Sequence, residues 1–469
     1  MTVDATWSDD AWGEFGLRLR YWRRRAGFTQ RELGLEVGYH HSQISRLEAG
    51  LRAPAPGLTR QLDETLRTGG ELAALAAAPR DVPPAAPRAA ADPGLFTPPP
   101  LGETAGYPGI LDPALWPSTL PAEGLVCPLH GAAGCSVPER TAAPALLAAL
   151  TSADAPGAGP AGAESDHLHV LTGVLVCVIR GALHRAAVDG VATVEGLLRA
   201  VMEWAGAVGS TGRLPYGQLR IAAQYAQVAG RLRMRRGQRS IGMAWFGHGL
   251  RWADAVHDVP ARATLLSDTC ALVRLDADID STLGYAKAIG AVDGRRHWAA
   301  TLSHLYQARG HALGHDSSAC RRHIALARRE FARLGGRDRQ EAPWLAGAEG
   351  EMRLESAIGG ALRDLAVATG DRATARRAVE AIGRSRAQVP ASMRDTHLLL
   401  TLRLADGLAC AGDPGAAVAV VSPVAAEARR SRELLVSAEL DGLHGRLFAG
   451  RDALPEVREY RARLLDGGA

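Results

Sequence analysis

The sequence predicts an all-α protein built from a small N-terminal helical unit, a proline-rich connector and a long helical-repeat unit. Three observations carry this. A tight two-helix pattern occupies Thr29–Glu48. Twelve of the 26 prolines fall between Pro79 and Pro121. After Glu164 long helical patterns alternate with short turns of similar wording. The boundaries read as 1–78, 79–163 and 164–469.

The N-terminal unit reads as five helices. Phe15, Leu19, Trp22 and Ala26 recur at i, i+4, i+7 and i+11, one apolar stripe, with Arg18 and Arg23–Arg25 on the polar side. Thr29 and Glu32 fit a capping box, in which hydroxyl and carboxylate each accept from an orphan backbone N–H. Gly34 admits close approach of a second helix, and Gly38 sits where the turn needs positive φ. Leu33, Val37, Ile44 and Leu47 supply the apolar contacts. His41, Ser42, Ser45 and Arg46 then share the opposite face, fit to enter a major groove. A turn at Ala53–Pro56 follows, then a helix lined by Leu58, Leu62 and Leu66, and a last short one over Glu71–Ala78. Between Glu14 and Arg67 ten arginines face six acids, a local basic excess equal to the net +4 of the whole chain.

The pattern Gln30-x2-Leu33-Gly34-x3-Gly38-x5-Ile44-Ser45-Arg46-Leu47-Glu48-x-Gly50 resembles the phage-repressor (Cro/CI, or XRE) type of DNA-binding domain over about residues 13–78. The resemblance implies a recognition helix whose base-reading residues are His40, His41, Ser42, Ser45 and Arg46. It implies phosphate contacts from Gln30, with Thr29, Arg31 and Arg52 beside it. The chain departs from the usual pattern at Gly34, where alanine is common, and at His40, where a small polar cap is common.

The connector cannot pack a core by composition and reads as a semi-rigid spacer of up to ~3.1 Å per residue. The run Cys127-Pro-Leu-His130-Gly-Ala-Ala-Gly-Cys135 raises a zinc reading. It offers three donors at an unusual C-x2-H-x4-C spacing with no fourth nearby, so an ordinary loop with two thiols is expected and no metal is assigned. A Cys127–Cys135 redox pair rests on proximity alone. Glu139–Leu150 reads as a helix, and Thr151–Ala163 as a second linker.

In the C-terminal unit, Gly237, Asp276, Gly314, Gly370 and Gly412 mark similar turns at steps of 39, 38, 56 and 42 residues, the long step containing a charged, glycine-rich insertion at Gly335–Gly347. Helix pairs at such a period resemble a tetratricopeptide-like α-solenoid, which leaves a curved surface for a peptide or protein ligand. His297, His304 and His311 lie seven residues apart with Thr301 between, ~10.5 Å per step and too far for one metal, so an inter-helix or solvated face is expected.

Phosphate-binding G-x4-G-K-[ST] loops, G-x-S-x-G elbows, H-E-x-x-H pairs and C-x2-C pairs are all missing from the sequence, so no catalytic residues, no enzyme and no cofactor are expected. The acidic start lacks an apolar signal region, and the best apolar run, Leu168–Ile179, is too short to span a bilayer. Six scattered cysteines fit a reduced cytoplasm. Nearly all basic residues are arginine, Lys287 being the only lysine, and Ala, Gly and Pro abound, as a high-GC genome's codon bias produces. The whole layout resembles actinobacterial XRE regulators with tetratricopeptide-like tails. That resemblance implies a cytoplasmic, homodimeric transcriptional regulator of double-stranded DNA, without membrane contact. The alternative is a protein-interaction scaffold or anti-regulator acting through the repeat unit.

Overall fold

The computed structural model describes residues 12–39, 41–48, 54, 57–77, 111–131, 133–151, 161–183, 190–390, 393–431, 433–449 and 454–466. Among them the fold is all-α apart from one two-residue β-ladder and two isolated β-bridges, Ala122 with Leu125 and Cys127 with Gly131. The chain divides into two compact units, residues 1–88 and 89–469.

The first unit holds α1 (Gly13–Arg25), α2 (Gln30–Glu36), α3 (His41–Glu48), α4 (Leu58–Leu66) and α5 (Glu71–Ala77). Its core is Phe15, Leu19, Leu33, Val37, Ile44, Leu47, Leu58, Leu62, Leu66 and Leu72, all buried. These are the apolar positions that periodicity assigns inward, with Leu72 added, Trp22 half-buried at the edge of the core and Ala26 moved out as the exposed cap of α1. Asp63 is buried at the end of α4 and accepts from the backbone N–H of Leu72 (2.9 Å) and Ala73 (2.8 Å), capping α5 from another helix. The turn expected at 53–56, apart from Pro54, and the proline-rich stretch through residue 110 lie outside the described residues.

The second unit opens with a segment that composition assigns to the connector. Leu111, Leu120, Leu125, Cys127 and Val137 are nevertheless buried in one core with the helices that follow. Strands β1 (Thr119–Leu120) and β2 (Cys135–Ser136) pair antiparallel, Leu120 opposite Cys135. Proline count predicts an extended backbone but says nothing of anchors. Trp116 supplies one, its indole N–H donating to the Pro138 carbonyl (3.0 Å) and its ring lying where any Cβ on Gly173 would intrude at 2.8 Å. Helix α6 (Ala143–Thr151) then leads to α7 (Ala161–Leu183), α8 (Gly190–Ser210) and α9 (Tyr216–Arg235). No helix among the described residues is long and apolar enough to cross a membrane.

Helical hairpins follow. They are α9 with α10 (Arg239–Ala255), α11 (Val259–Leu275) with α12 (Ile279–Ala291), and α13 (His297–Leu313) with α14 (Ser317–Ala332). After α15 (Gly336–Glu341), inside the expected insertion, come α16 (Gly347–Thr369) with α17 (Arg372–Ala387) and α18 (Arg394–Ala411) with α19 (Pro414–Val421). Helices α20 (Ala425–Arg430), α21 (Leu434–Phe448) and α22 (Pro455–Asp466) close the unit. Each of the five markers Gly237, Asp276, Gly314, Gly370 and Gly412 sits at the turn within one hairpin. Four of the second helices begin on a capping aspartate: Asp278, Asp316, Asp371 and Asp413. The first helices also pack on one another, α9 on α11, α11 on α13, α13 on α16, α16 on α18 and α18 on α21. This inner layer curls until Arg235 of α9 pairs with Glu433 at the start of α21 (2.7 Å).

Within that layer the charges are buried or half-buried, and paired. Arg309 meets Asp364 (2.8 Å), Arg363 meets Asp364, Asp406 (2.7 Å) and Glu439, Arg403 meets Glu439 (2.8 Å), and Arg446 meets Asp406 (2.5 Å). Four helices, α13, α16, α18 and α21, thus share one knot. Burial alone would raise the Glu439 carboxyl, but Arg363 and Arg403 hold it far below the ordinary carboxylate range.

The histidine row of α13 faces α14. His304 Nδ1 lies 3.1 Å from His323 Nδ1, the His311 and His323 rings stack at 5.2 Å, and His297 pairs with Glu330 (2.8 Å).

Candidate nucleic-acid interface

Helices α2 and α3 are joined by Val37–His40, and Gly38 adopts φ +73°, the left-handed conformation that glycine takes without a Cβ clash. The capping box at the start of α2 is complete. The Glu32 N–H donates to Thr29 Oγ1 (3.1 Å), and the Thr29 N–H donates to the Glu32 carboxylate (2.6 Å). Those bonds from Thr29 hold the exposed Glu32 carboxyl below its ordinary range.

Helix α3 has one face inside and one outside. Gln43, Ile44, Leu47 and Glu48 are buried, while His41 and Arg46 are exposed and Ser45 half-exposed. Of the expected base-reading set, His41, Ser45 and Arg46 are therefore presented on one helix face. His40, Arg52 and the side chain of Ser42 lie outside the described residues.

Of the expected phosphate set, Thr29 and Arg31 are exposed and Gln30 is half-buried at the start of α2. Together with Arg23, Phe28 and His41 they line a shallow hollow between the beginnings of α2 and α3. Thr29 Oγ1 spends a lone pair on the cap, leaving its hydroxyl proton to donate outward. Backbone N–H groups at a helix start and nearby guanidinium groups are the donors that suit a phosphate oxygen.

One residue that sequence reading treats only as a motif letter organises this hollow. The Glu48 side chain, fully buried, accepts from Arg23 Nε, from Arg23 Nη2 (3.0 Å), from Gln30 Nε2 (2.8 Å) and from Arg20 Nε (3.4 Å). Arg23 also donates to the Phe28 carbonyl (2.7 Å). Burial would raise the Glu48 carboxyl, but the hydrogen bonds from Arg23 and Gln30 overcome it and hold the group ionised below its ordinary range. Gln30 is thereby fixed by one amide N–H before any ligand arrives, with its second amide N–H left to donate to a phosphate oxygen. The signal in the sequence is a glutamate at the end of a predicted helix on the same side as Ile44 and Leu47, where a carboxylate needs a buried cation.

No curated protein and no solved structure matches the chain. Residues 14–76 match the family model described as a helix-turn-helix domain, and the first unit is accordingly a helix-turn-helix of the DNA-binding kind.

Proposed function

We propose that the protein is a sequence-specific DNA-binding transcriptional regulator, not an enzyme, whose helical-repeat unit receives a signal, peptide or protein partner. The observation that supports it most is α3. Its buried side fixes it in the unit, and His41, Ser45 and Arg46 are presented together beside the hollow lined by Thr29, Gln30 and Arg31. A protruding helix flanked by phosphate-binding donors suits a major groove. One such module covers a short stretch of duplex, and two-fold pairing doubles it, so the working form is a homodimer on an inverted repeat with half-sites one helical turn apart or a multiple. The hairpin row of the second unit, with its turns in register, is consistent with a tetratricopeptide-like sensor of the actinobacterial XRE type.

The test is selection of bound fragments from genomic DNA by the purified full-length protein, followed by footprinting. A recurring inverted repeat, bound far more tightly than random duplex, is expected. Affinity that falls equally steeply with salt on every sequence, with no fragment enriched, would overturn the reading, because phosphate contacts alone carry no sequence information.

A further inference from the structure

The loop that carries Cys127, His130 and Cys135 is short of one donor for a metal when only neighbours in sequence are considered. The fold supplies a fourth. His169, in α7, brings Nε2 to 3.1 Å from Cys127 Sγ and 3.3 Å from Cys135 Sγ, and His130 Nδ1 lies 3.3 Å from Cys127 Sγ. All four donor atoms fall within 4.8 Å of one another. A tetrahedral zinc with thiolates at ~2.3 Å and imidazoles at ~2.0–2.1 Å places its ligand atoms about 3.3–3.8 Å apart. Three of the spacings lie within a few tenths of an ångström of that range, and the others, at up to 4.8 Å, have to close by about 1 Å.

Both thiols point at the same His169 nitrogen, whose one lone pair can accept from one S–H at a time. A cation between the four groups satisfies all of them at once. The surroundings are also those of a held ligand set. The backbone N–H groups of Leu129 (3.4 Å) and His130 (3.3 Å) aim at Cys127 Sγ, as a thiolate requires. Ser165 Oγ lies 3.5 Å from His169 Nδ1, on the ring's far side, where an outer partner fixes tautomer and orientation. The loop itself is tied down: the Gly131 N–H donates to the Cys127 carbonyl (2.8 Å), Gln224 to the Val126 carbonyl (3.0 Å) and Arg220 to the Pro128 carbonyl (2.5 Å).

We propose that Cys127, His130, Cys135 and His169 form a structural Zn2+ site that clamps the β1–β2 segment to α7. On binding, Zn2+ displaces the two thiol protons to solvent, and two thiolates balance the dication. Four protein ligands close the tetrahedron and leave no position for substrate, which makes the role structural and not catalytic. The clamp adds to the apolar anchors and the two-residue ladder that hold residues 119–136 beside α7 within the second unit.

The test uses the full-length protein purified with reductant, dialysed against metal-free buffer and analysed for bound metal. About one zinc per chain is expected. Replacement by cobalt should give the visible bands of tetrahedral coordination together with a thiolate-to-cobalt charge-transfer band. His130 is exposed, so His130→Ala keeps the fold and should weaken zinc retention by roughly ten- to a hundredfold or more, the range that loss of a mere outer partner already reaches. His169→Gln, Cys127→Ser and Cys135→Ser should abolish retention, and Cys410→Ala should leave it unchanged. Should one of the buried variants misfold, two wild-type readings still decide. Chelation must expose two thiols to alkylation, mapped to Cys127 and Cys135, in step with zinc release. Three results would each overturn the proposal: no retained zinc and no cobalt spectrum in the wild type, His130→Ala equal to wild type in affinity and spectrum, or Cys127 and Cys135 joined as a disulfide in protein alkylated at lysis.

Discussion

Replacing Glu48 by alanine tests whether a single buried carboxylate sets both the stability and the readiness of the DNA-binding unit. The substitution removes the acceptor of Arg23, Gln30 and Arg20 together. Arg20 is 45% exposed and loses little, since an exposed pair is worth at most ~1 kcal/mol. Arg23 is only 10% exposed and keeps one bond, to the Phe28 carbonyl, so its guanidinium is left largely unpaired inside the unit. Breaking a buried pair from one side costs ~3–5 kcal/mol, and the retained bond places Arg23 near the lower end. The lost Gln30 bond adds ~1 kcal/mol. A domain of this size has roughly 3–9 kcal/mol in total, at ~0.05–0.15 kcal/mol per residue, so Glu48→Ala should leave it at the edge of folding.

Amide exchange read by mass spectrometry on the full-length protein separates the units. Peptides from α1 and α3 should lose protection by about a hundredfold or more, since ~1.4 kcal/mol corresponds to tenfold, while α9–α21 stay as in wild type. Glu48→Gln keeps an acceptor and the volume, and should lose about half as much, because bonds to a charged acceptor are roughly twice as strong as neutral ones. DNA affinity should fall in both variants. Protection in α1 and α3 reduced by less than tenfold in Glu48→Ala would refute the reasoning, since Arg23 would then have found water or another partner at no cost. The pH sign follows from the same bonds. The lowered Glu48 carboxyl stabilises the unit at neutral pH, and that contribution is lost as pH falls through the carboxylate range.

Four further outcomes are expected. Arg46→Ala should cost ~1–3 kcal/mol on the preferred site and little on random duplex, by competition binding; Arg31→Ala should weaken all sequences alike and lower the salt slope by about one. Glu439→Gln leaves Arg363 and Arg403 sharing fewer carboxylates in the buried knot and should destabilise α18 and α21 by ~3–5 kcal/mol, measured as faster exchange there; an unchanged urea midpoint would mean the knot is not buried in solution. Burial first, then His304 and His311, depresses His323 from its ordinary value to about 4, so the unfolded chain binds the extra proton between about pH 6.5 and 4 and stability must fall with pH across that window. The melting temperature of His323→Gln should depend less on pH between 6.5 and 5 than that of wild type.

What could be read in advance depends on how far apart the cooperating residues are. The Thr29–Glu32 capping box, the turn at Gly38 and the inward stripe of α1–α4 are local, and they stand in the structure as spacing predicts. The same holds for the hairpin turns, because each needs only a helix stop and a capping aspartate a few residues on. Gly16 was silent in the sequence, although a Cβ there would meet the Leu47 and Glu48 carbonyls at 2.5 and 2.7 Å. That requirement comes from the crossing of α1 over α3, which no local pattern states. Glu48 likewise acquires its meaning only when Arg23, 25 residues back, arrives beside it.

The Cys127 cluster shows the same limit and a way past it. His169 lies 42 residues beyond Cys127, inside the apolar run Leu168–Ile179. Composition reads that run as a helix to be buried, and a buried imidazole needs partners for its nitrogens. A histidine in such a run is therefore a donor in search of a partner, just as a three-donor loop is a site in search of a fourth. Over its described residues from Leu111 onward the connector reading fails for the complementary reason. Proline density describes the backbone of 111–131, whereas Leu111, Trp116, Leu120 and Leu125 decide where that backbone is held. Any signal reaching this protein through α9–α21 must favour one arrangement of the inner layer over another to have an effect. The buried ion pairs of Arg363, Asp406 and Glu439 make that layer resistant to small shifts, since a displaced partner leaves a charge uncompensated. A ligand that acts through this layer must therefore bring charge of its own or bind where the charges are not, and the Arg235–Glu433 contact between α9 and the start of α21, both groups being about a quarter exposed, costs less to open than the buried pairs.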